Sequence, residues 1–377
     1  TTISMELQTR LVFIDTSAYQ AKRFQFGHYD LAHLEKMVAE EKIHLLVTDV
    51  IRSEIESHIR SFADDAVSQL KKFQKAVAFL RVAEEATGSG LFVSVNADAV
   101  FEEAMVKFRA LMDNGLTEHV PVSIVDTSQV FRDYFSGVPP FHREAKKSEF
   151  PDAFSLAAVD KVARERCHKV YIISADDDMK AVAEQNPNFI HLEKLEQLLD
   201  LVNRNDEELA GLSGFADSVL QQLQAGVLDE AREKLEGGEF VPVSSGDIDH
   251  DVSDIKIFHI EIAELQLIDV DTDGATYDVV FNVSLEATYN SVDYSKVNWD
   301  REGRVMYGMQ ECSDTFRHLE QYSARIEIGF VDGLKANAEL LDVSFEDTIF
   351  DLDLDEAEYI ERPAPVHGQA GREAAGE

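Results

Sequence analysis

Five acidic side chains stand where a chain of alternating strands and helices would expose them together. Asp15 closes the apolar run Leu11-Val-Phe-Ile14, and Glu54 lies on a helical segment after the strand-like His44-Leu-Leu-Val47. Asp152 opens a helical segment behind Pro151, and Asp176 and Asp178 follow the run Lys169-Val-Tyr-Ile-Ile-Ser174. In an open α/β sheet ligands collect where the strands end, so these acids read as one carboxylate metal site. A carboxylate set without His or Cys suits a hard divalent cation such as Mg²⁺ or Mn²⁺, which keeps part of its shell open for water and substrate oxygens. Such a cation can activate water and neutralise the charge that develops when a phosphodiester is cleaved.

Each acid also has a plainer reading. A lone Asp after a strand is more often a helix cap or turn residue, Asp152 could cap its helix, and Asp176 to Asp178 could serve the dipole of the next one. Glu54 resists that reading, because a Glu beside the apolar stripe Val50, Ile51, Ile55, Ile59 costs stability unless something pairs with it. Glu56 and His58 are better placed for solvent. Thr16 and Ser17 are expected to hydrogen-bond the loop or a metal-bound water. His142, Arg143, Lys146 and Lys147 crowd into six residues of an acidic chain and are candidates for phosphate contact, with a solvated loop as the alternative.

The elements that must position these residues follow from hydrophobic period. Leu11–Ile14 and the run from Lys42 read as strands buried on both faces, with a helix around Leu31, Leu34 and Val38 between them. Thr48 is a plausible N-cap for the helix carrying Glu54. Residues 61–85 and 96–114 look like two long helices of an insertion or lid, and residues 122–125 like a short strand. Residues 128–135 and 153–166 are expected as helices, 189–192 as a strand, and 193–202 as a helix. Residues 206–235 are helical in pattern, and Gly237-Gly238 with Val241–Gly246 has the composition of a linker, so a domain boundary is placed near 240. Beyond it the period changes to two: 255–262, 276–287, 324–330 and 340–349 alternate as strands of a small antiparallel β domain. The Pro-, Gly- and Ala-rich tail from Arg362 has little to bury and is expected to be disordered.

The segments Phe13-Ile-Asp15-Thr-Ser17, Val47-Thr-Asp-Val-Ile-Arg-Ser-Glu54, Lys146-Lys-Ser-Glu-Phe-Pro-Asp152 and Ile172-Ile-Ser-Ala-Asp176-Asp-Asp178-Met179 together resemble a PIN-like nuclease domain. The closest resemblance is to a larger bacterial PIN-like group described as a domain of unknown function. It implies a three-layer α/β/α fold that cuts RNA, with single-stranded DNA as a further substrate, using Mg²⁺ or Mn²⁺ held by Asp15, Glu54, Asp152 and Asp176 with help from Asp178. Substrate contacts then fall to Ser17, Arg143, Lys146 and Lys147, and a toxin-like or defence-related role is among the implications. The chain departs from the pattern at Met179, where an aromatic is usual, at Ser17, where Asn is commoner, and at Ala175. A PIN-like scaffold that has lost activity and only binds a partner is the alternative. Haloacid-dehalogenase-type phosphatases need an Asp where Ser17 stands, and the long 61–116 insert fits a response-regulator receiver poorly.

Composition sets the remaining bounds. The chain has 377 residues, 45% hydrophobic, enough for two domains. No run of eighteen apolar residues and no signal-peptide order is seen, which points to the cytoplasm. Cys167 and Cys312 lack metal-type spacing and read as ordinary thiols. The net charge is −37, and residues 241–377 alone carry 31 acidic against 9 basic side chains. That field repels nucleic acid, so a polyanionic substrate needs bound cations and a local basic patch. The expected organisation is a nuclease domain over 1–204, a helical segment and linker over 205–246, an acidic regulatory or assembly β domain over 247–355 and a tail over 356–377. The β domain is expected to meet a protein partner, a basic ligand or another copy of itself.

Overall fold

The computed structural model describes residues 6–83, 91–141, 148–206, 209–244, 251–293, 298–300, 305–307, 310–330 and 335–361. The chain divides into two compact units, residues 1–211 and 212–377.

The first unit is an α/β domain on a five-stranded parallel sheet of order β3-β2-β1-β4-β5. Its strands are β1 (Leu11–Ile14), β2 (His44–Thr48), β3 (Glu118–Val120), β4 (Val170–Ile173) and β5 (Phe189–Leu192). Every residue of the central β1 and β4 is buried, as expected for strands covered on both faces. Helices α1 (Thr16–Ala21), α2 (Tyr29–Ala39), α3 (Asp49–Ala76), α4 (Ala97–Met112), α5 (Thr127–Ser136), α6 (Phe150–Arg166), α7 (Asp177–Gln185) and α8 (Leu195–Asn205) make the crossovers. The first acid therefore leaves the middle of the sheet, β1, and the last two leave its neighbour, β4.

Two expectations change here. The helix carrying Glu54 does not stop near residue 60: Ile51, Ile55, Ile59, Ala63 and Val67 keep one buried stripe at four-residue spacing, so α3 runs 28 residues without a break. That stripe packs with Phe101, Met105, Phe108, Leu111 and Met112 of α4. Residues 122–124 form a 3₁₀ turn rather than a strand; the edge strand is β3, just before it, and Pro121 removes the backbone donor that would have continued the ladder.

The second unit begins with α9 (Ala210–Glu236) and continues as β structure: β6 (Glu239–Val243), β7 (Asp251–Val270), β8 (Gly274–Asp293), β9 (Asn298–Asp300), β10 (Val305–Tyr307), β11 (Gln310–Phe330), β12 (Ala338–Phe345), β13 (Ile349–Asp353) and β14 (Glu358–Glu361). Strands β12-β11-β8-β7 form an antiparallel sheet to which β14 adds on β11. Central β8 alternates strictly, with Ala275, Tyr277, Val279, Phe281, Val283, Leu285, Ala287 and Tyr289 all buried. Helix α9 covers that face, where Tyr277 Oη donates to Asp217 Oδ1 at 3.0 Å. On the other face Arg325 and Arg317 pair with Asp278 and Glu286 of β8 at 2.9 and 2.8 Å. The stretch Val241-Pro-Val, read above as linker, is strand β6 and pairs in parallel with β13, its side chain Phe240 packing on Phe350.

Strand β7 does not simply alternate. Its register with β8 slips between Val252 and Asp254, Ile257 and His259, Ile262 and Glu264, and Leu267 and Asp269. One β-bulge every five residues turns the inward positions into a three-two rhythm: Val252, Ile255, Ile257, Ile260, Ile262, Leu265, Leu267, Val270. The residues around 142–147 and those after 361, including the expected basic patch and tail, lie outside the described residues.

Candidate metal centre and active site

Asp15 caps α1 and is almost fully buried. Its Oδ2 accepts from the Ser17 backbone N–H at 3.2 Å, from the Ser174 hydroxyl at 3.0 Å, and from the Ser17 hydroxyl. Ser174 also accepts the Asp176 N–H at 3.0 Å, so one hydroxyl at the end of β4 ties the first acid to the fourth. In sequence, Ser174 is marked only as a hydroxyl residue at a strand end two places before an acid.

Glu54 lies half-buried, one and a half turns into α3, and its Oε2 accepts from the Thr16 hydroxyl at 2.9 Å. Burial raises its pKa, a shift the Thr16 hydrogen bond and His58 oppose and the Asp15 charge reinforces. Thr48 does cap α3, accepting from Ile51 N, and its hydroxyl lies 2.9 Å from that of Ser155. Both are fully buried. That contact pins α3, with Glu54, to α6, with Asp152 three residues before Ser155.

Asp152 is in the first turn of α6, and Glu149, not Asp152, occupies the cap position. Burial pushes the Asp152 pKa up to about 8, followed by the charges of Asp15, Glu54, Glu149 and Asp176. One side chain thus feels each of the other three predicted stations and a further acid, Glu149, that the sequence reading did not single out. Asp176 caps α7: its Oδ1 accepts from Asp178 N at 2.7 Å and from Met179 N at 3.1 Å. Asp178 is buried below it. The capping roles of Asp15 and Asp176 are therefore real, and they leave room for more, since a carboxylate has about four lone-pair directions.

The residues present suit a hydrated divalent cation. The donor set is carboxylates and hydroxyls throughout, and the four stations converge at the ends of β1, β2 and β4. Among the described residues no three of these acids bring ligand oxygens within 4.8 Å of one another. The phenol of Tyr19 is fully buried with no hydrogen-bond partner among the described residues. Burial and the nearby Asp15 charge both raise its pKa, so it stays a neutral donor and acceptor beside the acids. A buried orphan hydroxyl next to a carboxylate cluster fits a place where water or a hydrated ion is held.

Residues 12–179 match the family described as PIN domain. The N-terminal unit carries a PIN domain. PIN domains are typically metal-dependent nucleases, and all the acids described above fall within the matched stretch. Searches among curated proteins and among solved structures found no match, and no family matches the second unit. No described helix is long and apolar enough to cross a membrane.

Proposed function

We propose that the PIN domain is a Mg²⁺- or Mn²⁺-dependent endoribonuclease whose ions are held by Asp15, Glu54, Asp152 and Asp176, with Asp178 in support. The observation that carries this is the convergence on Asp152, whose proton is held towards neutral pH first by burial and then by the charges of Asp15, Glu54, Glu149 and Asp176. A group of acids that repel one another when empty is stabilised by a divalent cation. The bound ions would supply an activated water and neutralise charge on the phosphorus and leaving oxygens. Ser17 and Ser174 fix the Asp15 carboxylate, Thr16 fixes Glu54, and Asp152 would release its proton to solvent on holding a cation. Arg143, Lys146 and Lys147 are the proposed phosphate contacts in an otherwise repulsive chain.

The test is Mn²⁺ titration by calorimetry alongside cleavage of single-stranded RNA and DNA. Asp15→Asn and Asp152→Asn should each abolish cleavage while the fold persists. A chain that neither binds Mn²⁺ nor cuts these substrates is a PIN-like binding module, and the enzyme reading falls.

A further inference from the structure

The face of α3 that begins at Glu54 continues into aromatic side chains. His58 and Phe62 follow at four-residue steps, so they lie on the same side of the helix, about 6 and about 12 Å along its axis from Glu54. Phe24 is wedged beside both. Its ring is nearly parallel to the His58 imidazole, with centroids 5.8 Å apart and 15° between the planes, and it meets Phe62 edge-on at 5.3 Å and 82°. His58, placed for solvent in the sequence reading, is thus half-buried against a ring, whereas Phe62 remains 40% exposed.

The loop that presents Phe24 is held in an uncommon conformation. Arg23 and Phe24 are consecutive non-glycine residues in the left-handed region, at φ 51° and 52°. Such backbone is strained for residues with a side chain and persists where the surroundings impose it. Phe24 N donates to Tyr19 O at 3.0 Å, and the partly buried Lys22 ammonium, although burial works against its charge, is kept protonated by Glu196 and Asp30. The strain serves to aim one ring, Phe24, under His58 and against Phe62.

We propose that His58 and Phe62, braced by Phe24, form a stacking platform for a base of a single-stranded nucleic acid whose scissile phosphate lies at the carboxylates; this rests on the nuclease reading above. Three observations favour that occupant. The platform is continuous with the acid site along one helix face, within the reach of one or two nucleotides. A chain of net charge −37 gains little from phosphate attraction outside the ions and one local basic patch, so contacts that do not depend on charge add the most, and base stacking on aromatic rings is such a contact. A base in a duplex has both faces covered by its neighbours, so only an unpaired strand can offer one to Phe62.

The experiment uses the full chain carrying Asp15→Asn to prevent cleavage, with a fluorescein-labelled eight-nucleotide single strand, or its duplex, as probe. Phe62→Ala should weaken single-strand binding by about tenfold, by the same factor at low and high salt, and, placed in the chain that keeps Asp15, should leave Mn²⁺ affinity unchanged. Phe62→Trp should restore binding, and its fluorescence should be quenched by the single strand and not by the duplex. Because Phe62 is partly exposed, the Ala variant is expected to fold, which circular dichroism verifies. If the parent with Mn²⁺ cuts RNA but Phe62→Ala binds and cuts it as well as the parent does, the platform is wrong and the nuclease reading stands. If the parent cuts and binds no nucleic acid at all, both are wrong.

Discussion

Replacing Asp152 by Asn should make the metal-free protein more stable, and more so as pH rises. The Asp152 carboxyl has a folded-state pKa of about 8 against an ordinary value of 3.8, so the folded chain binds more protons than the unfolded one throughout that interval. Stability is therefore present below pH 4 and is lost as pH climbs towards 8. At 1.36 kcal/mol per pH unit, forcing Asp152 to ionise costs the fold about 6 kcal/mol at most. Asn has nothing to ionise and keeps the shape of the side chain. At roughly 2 to 4 °C per kcal/mol for a unit of this size, the variant should melt about 10 °C above the parent at pH 9 and within a degree or so of it at pH 4. Calorimetric melts of both chains in chelator across that range measure the difference. Mn²⁺ should narrow the gap from the other side, because the cation stabilises the parent and releases a proton as it binds. A melting difference that does not change with pH, or an Asn variant less stable at pH 9, would refute the crowding of acids around residue 152.

Ser174→Ala removes the hydroxyl that serves both Asp15 and the Asp176 N–H, so it should cost about 1 to 3 kcal/mol of stability and at least tenfold in Mn²⁺ affinity, read by urea unfolding and calorimetry. Lys146→Ala with Lys147→Ala should weaken RNA binding and flatten its salt dependence while Mn²⁺ affinity stays constant; an unchanged salt slope makes them plain surface residues. Ending the chain near residue 206, before α9, tests the proposed role of the acidic second unit: restraint predicts faster cleavage than the whole chain, assembly predicts a smaller mass per particle by light scattering, and no change in either removes both proposals.

Much of the site was legible before any tertiary structure. Four apolar residues followed by an acid, as in Leu11 to Asp15, specify a doubly buried strand and the side chain at its end, because burial and strand length are local properties of the run. Thr48 announced its cap by being a hydroxyl residue before an apolar stripe. The parallel α/β domain and the later antiparallel sheet were likewise written in the change of hydrophobic period from helical to twofold. The length of α3 was written too, in the four-residue spacing from Ile51 to Val67, but dividing the segment at residue 60 hid it. The same is true of β7, where the three-two spacing of Ile255, Ile257, Ile260, Ile262, Leu265 and Leu267 encodes a bulge every five residues that strict alternation cannot describe.

Other features have no local signature. Ser174 acquires its role only when β4 lies beside β1 and brings its hydroxyl within 3.0 Å of Asp15, across 159 positions of chain. The elevated pKa of Asp152 arises first from burial and then from neighbouring charges, of which Asp15, Glu54 and Asp176 lie more than twenty residues away in sequence, and both burial and such a sum of fields exist only in three dimensions. His58 looked like a solvent residue because its own helix face said so; the Phe24 ring that covers it comes from a loop 34 positions earlier, bent into place by backbone angles no propensity would choose. Hydrophobic period and end-of-strand acids are determined by neighbours in sequence, whereas the hydrogen bonds, charge coupling and ring contacts that would give those acids their chemistry depend on which distant segments the sheet sets side by side.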